Sequence, residues 1–342
     1  MSGRRLAAAV VLAAIALALG AVLAVGASGP QHARQPDPSA SATGVGVGVG
    51  VVGGAELAYL TAAQNQDGGF GAAPGQASSE LYTAWAAIGI AAAGRDPLEM
   101  RRSGHTVLDA LRGEASTLSG AGDLERTILA LHACGVSVRS LGAAGDPLAE
   151  LLRMRSPDGS FGGLANLTAF GVLALRAGGY GAASTPVRLA TRWLARQQDA
   201  DGGFGFAGRG GASDVDDTAA VLQALLAGHL RGSVPARART FILHAENADG
   251  GFPEQPGGAS NAQSTAWAIQ GLTAAGVEVS NLRTGASRTP VAYLQSLVAP
   301  DGSVRYSRVG AQTPVWVTAQ ALTGLARRPF PIVPPRARRA AG

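Results

Sequence analysis

WLARQQDADGGFG, residues 193–205, ends an apolar helical pattern in an Asp-Gly-Gly turn and then an aromatic residue. A glycine after the Asp supplies the positive φ that reverses a chain leaving a helix. The same element recurs as YLTAAQNQDGGFG from Tyr59 and FILHAENADGGFP from Phe241, and more weakly as LLRMRSPDGSFGG from Leu151 and YLQSLVAPDGSVRY from Tyr293. The Asp of each turn falls at 67, 158, 201, 249 and 301. The last three intervals are 43, 48 and 52 residues and the first is 91, about twice as long. A degenerate copy from Val107 to Gly135, with SGAGD in place of the turn, fills that gap. Six units result, and a repeat of this length points to a stacked or closed array of one supersecondary motif.

Each unit reads as two helices. The first opens on a capping residue and proline in Asp146-Pro147, Thr185-Pro186 and Thr289-Pro290, where a missing N–H costs nothing. The second begins near a recurrent threonine: Thr83, Thr127, Thr168, Thr218, Thr265 and Thr318. The expected fold is all-α: six helical hairpins closed into an α6/α6 toroid, a double ring with the second helices inside.

Working outward, residues 28–53 read as a flexible low-complexity linker and residues 54–326 as the toroid. The tail RRPFPIVPPRARRAAG, residues 327–342, is Pro- and Arg-rich and is expected to be disordered. Arg4 and Arg5 precede an apolar run from Leu6 to Ala27. About 20 apolar residues suffice to span a bilayer, so residues 1–27 read as a cleaved signal peptide or an uncleaved anchor. The protein is therefore expected outside the cytoplasm, secreted or held on the outer face of the membrane through that segment.

All 28 basic residues are arginine, which together with abundant Ala and Gly reads as a high-GC bacterial composition. The net charge of +5 is dispersed, and no Arg-rich block alternates with aromatics, so a nucleic-acid partner is not expected. The single cysteine, Cys134, excludes an intrachain disulfide and a thiolate zinc cluster. An EF-hand frame over DADGG would place Gly208 where a bidentate Glu belongs. No metal or cofactor is expected.

The recurring Q-x-x-DGGFG element resembles the QW motif of the terpenoid cyclases and protein prenyltransferases, whose fold is an α6/α6 toroid. The resemblance covers residues 55–325 and implies the fold more strongly than any activity, because the motif ties helices together. Superimposing the six inner helices on their threonines separates two faces. One residue after Thr is Ala in five copies, and four after is always Ala or aliphatic, which describes a packing face. Two residues before Thr stand Leu81, Glu125, Asn166, Asp216, Gln263 and Trp316, and two after stand Trp85, Leu129, Phe170, Ala220, Trp267 and Gln320. A variable stripe at these spacings is expected to face the lumen. The expected ligand pocket is lined by Trp85, Phe170, Trp267 and Trp316, with a polar rim of Glu125, Asn166, Asp216 and Gln263.

DVDDTA, residues 214–219, is similar to the DxDD motif of class II terpene cyclases such as the squalene–hopene cyclases. The resemblance implies that Asp216 protonates a terminal alkene or epoxide of a polyprene, with Asp214 and Asp217 tuning it. A competing reading needs no chemistry. Asp214 lies four residues before its Thr, as Ser79, Asp123 and Asn261 do in other repeats, and all are good N-cap residues. Acids in the first turn gain about 0.3–1 kcal/mol each from the helix dipole, which also favours their ionised form. Those cyclases normally carry two barrels, and this chain has room for one. Bacterial triterpene members place a histidine where this chain has Trp267. The prenyltransferase zinc set does not fit, because Asp216 and Val317 stand where its Cys and His belong. Three readings stay open: a lumen that binds an apolar or amphipathic, isoprenoid-like small molecule without catalysis; a single-barrel class II cyclase or isomerase using Asp216; and a scaffold without a ligand.

Overall fold

The computed structural model describes residues 52–142 and 145–335, so the expectations for residues 1–27 and most of 28–53 lie outside the described residues. Twelve α-helices and no strand occur among the described residues. In chain order they are α1 (Gly54–Ala63), α2 (Glu80–Ala92), α3 (Val107–Gly113), α4 (Ala121–Ala133), α5 (Pro147–Arg153) and α6 (Ala165–Ala177). They continue as α7 (Thr185–Ala195), α8 (Val215–Ala227), α9 (Ser233–His244), α10 (Ala262–Ala274), α11 (Pro290–Gln295) and α12 (Pro314–Leu325).

The even-numbered helices, which carry the recurrent threonines, pack each on the next in a closed cycle from α2 through α12 and back to α2. Their uniform alanines explain how closely they approach. A β-carbon on Gly89 would lie 2.5 Å from the carbonyl oxygen of Ala319, and one on Gly324 would lie 2.8 Å from the α-carbon of Ala266. Glycine late in one even helix thus seats on the Ala that follows Thr in its neighbour. Each odd helix packs chiefly on the even helix before it: α3 on α2, α5 on α4, α7 on α6, α9 on α8, α11 on α10 and α1 on α12. The expected pairing, with each odd helix against the even helix that follows, is the minor contact.

The turns lock this arrangement. Asp67, Asp158, Asp201, Asp249 and Asp301 each accept a hydrogen bond from the backbone N–H two residues on, at 2.9–3.1 Å. The next residue enters the core. The N–H groups of Phe70, Phe161, Phe204, Phe252 and Val304 donate to the hydroxyls of Thr83, Thr168, Thr218, Thr265 and Thr318 at 2.8–3.0 Å. A buried N–H left without an acceptor costs about 1–3 kcal/mol, which accounts for the threonine in each of these repeats. The sixth turn closes the ring on the first repeat: Gly302, at φ 86°, sits where a β-carbon would be 2.2 Å from the Ala55 carbonyl oxygen.

The tail corrects its expectation over residues 327–335. Phe330 and Ile332 are buried. The Phe330 N–H donates to Gln223 Oε1 at 2.9 Å, and Gln270 Nε2 donates to the Arg328 carbonyl at 2.6 Å. Farther on, Pro334 reaches Gly135 just beyond α4. Proline suits such a segment because it runs extended without needing partners for every N–H.

Candidate active site at the mouth of the ring

The starts of four even helices are overlaid by the next repeat, two residues past the core residue that follows its turn. Asn166 donates its N–H to the Phe206 carbonyl at 3.2 Å, Val215 to Glu254 at 2.9 Å, Ala262 to Tyr306 at 2.7 Å, and Val315 to Ala72 at 3.2 Å. These bonds satisfy N–H groups that a helix start leaves free. They also bring a second set of side chains to the mouth formed by the N-terminal ends of the even helices.

Beneath the mouth the aromatic rings meet. Trp85 lies 6.4 Å from Phe170, 6.1 Å from Trp267 and 6.3 Å from Trp316 between ring centroids, and Phe170 lies 5.7 Å from Trp267. Most of these pairs are edge-to-face, the favoured aromatic geometry, while Trp316 stacks on Trp85 at 20°. Phe330 completes the group from the tail side, 5.7 Å from Trp267 and 6.3 Å from Trp85. Trp85, Trp267 and Phe330 are buried, whereas Phe170 and Trp316 are partly exposed. The ring centre is therefore an aromatic floor, open towards the helix N-termini. The four aromatics singled out in the sequence come together.

The polar rim does not converge as expected. Asn166 donates to Asp217 Oδ1 at 2.6 Å across the α6–α8 contact, and Gln263 donates to Gln320 on the neighbouring helix. Glu125 is buried and turns into the α4–α6 seam, where its Oε1 lies 3.2 Å from the point a β-carbon on Gly171 would occupy. The Phe161 ring lies closer still to that point, its Cδ2 at 2.4 Å; the other even helices carry Ala86, Ala130, Val221, Ala268 and Ala321 at the offset of Gly171. Neither Glu125 oxygen has a hydrogen-bond partner, and burial pushes its carboxyl well above the usual range.

The aspartates divide into separate roles. Asp214 caps α8, accepting from the Asp217 N–H at 2.7 Å. Burial, followed by the charge of Asp217, pushes Asp214 up to about 9, and burial also raises Asp217. Two carboxyls this close keep a proton between them. Asp216 is partly exposed at the mouth, and its Oδ1 is buried without a partner. Burial pushes it up to about 7; Glu254 and Asp217 add to the rise and a hydrogen bond with Ser264 opposes it. A carboxyl at this value is half protonated near neutrality, although it stands at a helix N-terminus that favours the anion. Glu254 and Tyr306 escape a scan keyed to the threonines. They fall two residues after Phe252 and Val304, at the variable offset that also holds Ala72, Gly163 and Phe206.

The prenyltransferase alpha-alpha toroid domain model matches residues 53–109, 125–289 and 217–314, well over half of the chain. The chain belongs to this family. A drimenyl diphosphate synthase from Streptantibioticus cattleyicolor is 30% identical over 222 residues, covering 58% of this chain and 40% of that protein. A drimenyl diphosphate synthase from Streptomyces showdoensis is 35% identical over 146 residues, covering 39% of this chain and 26% of that protein. The chain thus spans under half the length of these relatives. Among solved structures, the type II terpene cyclase MstE from Scytonema superposes at a TM-score of 0.57 and 17% identity, over 80% of this chain and 96% of that one. A glycosidase in complex with glucose superposes at 0.50 and 16% identity, over 80% and 95%. This toroid therefore hosts different chemistries, and activity has to be argued from the site.

Proposed function

We propose that this protein is a protonation-initiated cyclase or isomerase of an isoprenoid-like small molecule, with Asp216 as the acid. In this reading the six helical hairpins form a double ring and the even helices line the lumen. The observation that carries it is Asp216 itself: a mouth carboxyl with an unpartnered oxygen, poised near neutrality beside an aromatic floor. In the step it performs, the Asp216 proton adds to a terminal alkene carbon and the π pair forms the new C–H bond. The cation left on the more substituted carbon is attacked by a further alkene of the same molecule. Loss of a proton from the cyclised cation completes an isomerisation with no net change in atoms. Trp85, Phe170, Trp267 and Trp316 present π faces that attract the cation. Partial exposure lets Asp216 recover its proton from water. The names of the relatives and of the MstE structure support this class of chemistry.

A second reading, binding of an apolar or amphipathic ligand without catalysis, is favoured by the aromatic ring centre, where Phe170 and Trp316 stay partly exposed. Export through residues 1–27, with the toroid outside the cytoplasm, is a further proposal. No helix among the described residues is long and apolar enough to cross a membrane. Incubation with a panel of linear polyprenes, comparing the wild-type protein with Asp216→Asn, separates the two functional readings. Cyclised product from the wild type and none from the variant supports the acid. Absence of cyclised product from every polyprene sinks the enzyme reading.

A further inference from the structure

The aromatic group in the ring has one member that no repeat supplies. Phe330 enters from the far end, after α12 has finished the ring, and stacks at 29° on Trp267. The segment that carries it crosses that end from α12 towards Gly135, at the opposite side from Asp216. Lumen residues five positions after the recurrent Thr hold it: Gln223 accepts the Phe330 N–H and Gln270 donates to the Arg328 carbonyl. Gln270 also accepts from the Thr323 hydroxyl at 3.0 Å, which fixes its orientation. Side-chain amides spent on the backbone of a tail describe a built seat for that tail.

We propose that residues 327–335 form the floor of the ligand pocket and that Phe330 sets its depth, so that this residue selects the length of the apolar chain the ring accepts. The proposal rests on the reading of the lumen as a ligand pocket and is independent of the acid at its mouth. Trp85 and Trp267 define the middle of the lumen, and the Phe330 ring lies against both, below the level of Trp316. A smaller residue at 330 opens space continuous with the underside of those indoles, while Gln223 and Gln270 keep their bonds to the backbone. A larger residue raises the floor.

The probe is a series of linear primary alcohols of increasing length, titrated into the full chain and read by tryptophan fluorescence. Wild type, Phe330→Ala, Phe330→Leu and Phe330→Trp are compared after thermal melts show that each is folded. Every methylene that finds apolar space tightens binding by about fourfold. In the wild type that gain stops at a definite chain length. The stop is expected at a longer alcohol in Phe330→Ala and Phe330→Leu and at a shorter one in Phe330→Trp. The leucine variant carries the test if the alanine variant does not fold. One common stopping length in all folded variants overturns the floor while leaving the pocket. No binding of any alcohol to any variant overturns pocket and floor together. Cyclisation of polyprenes fails or succeeds separately, through Asp216.

Discussion

Repeats two and four each place an acid two residues before the recurrent threonine, and the two acids end in opposite circumstances. Asp216 of repeat four stays at the mouth, partly exposed, with the chain at Glu254 laid across the start of its helix. Glu125 of repeat two is sealed in the α4–α6 seam with neither oxygen partnered. The difference begins in the turn. Repeat two has no Asp-Gly-aromatic element, so Thr127 donates instead to Glu80 Oε1 at 2.9 Å, beside an Arg126 that also pairs Glu80. Gly171 on the facing helix leaves room that the Phe161 ring and, less closely, the Glu125 carboxyl share. Position in a repeat selects the candidates for chemistry, and access to solvent and substrate decides among them.

The largest effect should separate these two acids in catalysis. If Asp216 protonates substrate, Asp216→Asn lowers the rate of cyclisation by about 100- to 10,000-fold, the usual range for loss of a general acid. Glu125→Gln, which keeps shape and neutrality in a sealed site, should change that rate by less than about threefold. Equal losses from both variants would break the distinction. The pH profile provides an independent check. If Asp216 is the acid, its protonated form is the active one, and burial pushes it up to about 7, so activity should hold below pH 7 and fall about tenfold per unit above it. A rate that rises through this range would assign Asp216 the role of a base.

How much of this was legible in the sequence depends on the range of the contact involved. The turns, caps and threonines are local or recur in register, so the repeats and the aromatic stripe of Trp85, Phe170 and Trp267 can be read without a structure. Asp216 could be placed because its offset obeys the helical period. The Glu125 offset obeys it equally, yet its side chain ends in a seam against Phe161 and Gly171, 36 and 46 residues away. Glu254 and Tyr306 reach the mouth by bonds between successive repeats, which a superposition on the threonines does not sample. Phe330 is the least legible of these residues. Its Pro- and Arg-rich surroundings have the composition of a disordered tail, and its partners Gln223 and Trp267 lie 107 and 63 residues earlier.

A smaller effect should appear in stability against pH. The Glu125 carboxyl is raised in the folded protein, so the fold holds a proton that the unfolded chain releases above about pH 4.3. The stability linked to this proton is complete below that value and is lost as pH rises towards the folded value, by about 1.4 kcal/mol per unit. Glutamine stays neutral throughout. Wild type and Glu125→Gln should therefore unfold at similar denaturant concentrations near pH 4, with the variant gaining the advantage as pH rises. Parallel curves at all pH values would mean that Glu125 reaches a partner or solvent. Glu125→Leu should stabilise by about 1–3 kcal/mol at neutral pH by removing buried unpaired oxygens.

The smallest effect concerns Asp214, whose counterpart in repeat two is Asp123, again four residues before the threonine. Asp214 is the N-cap of α8, but α4 begins earlier, so Asp123 falls inside its first turn and bonds back to the Gly120 N–H at 3.2 Å. Asp214→Ala should cost about 1 kcal/mol of stability, the usual loss of an N-cap. Asp214→Asn keeps an oxygen for the Asp217 N–H and should cost a few tenths of that. The asparagine also removes the partner with which Asp217 shares its proton, so Asp217 should titrate alone and the stability loss between neutrality and about pH 9 should shrink. If the carboxyl that donates to substrate is Asp216, Asp214→Asn should leave the cyclisation rate within a few-fold of wild type. A loss as large as that of Asp216→Asn would show instead that the proton donor is the coupled pair behind the mouth.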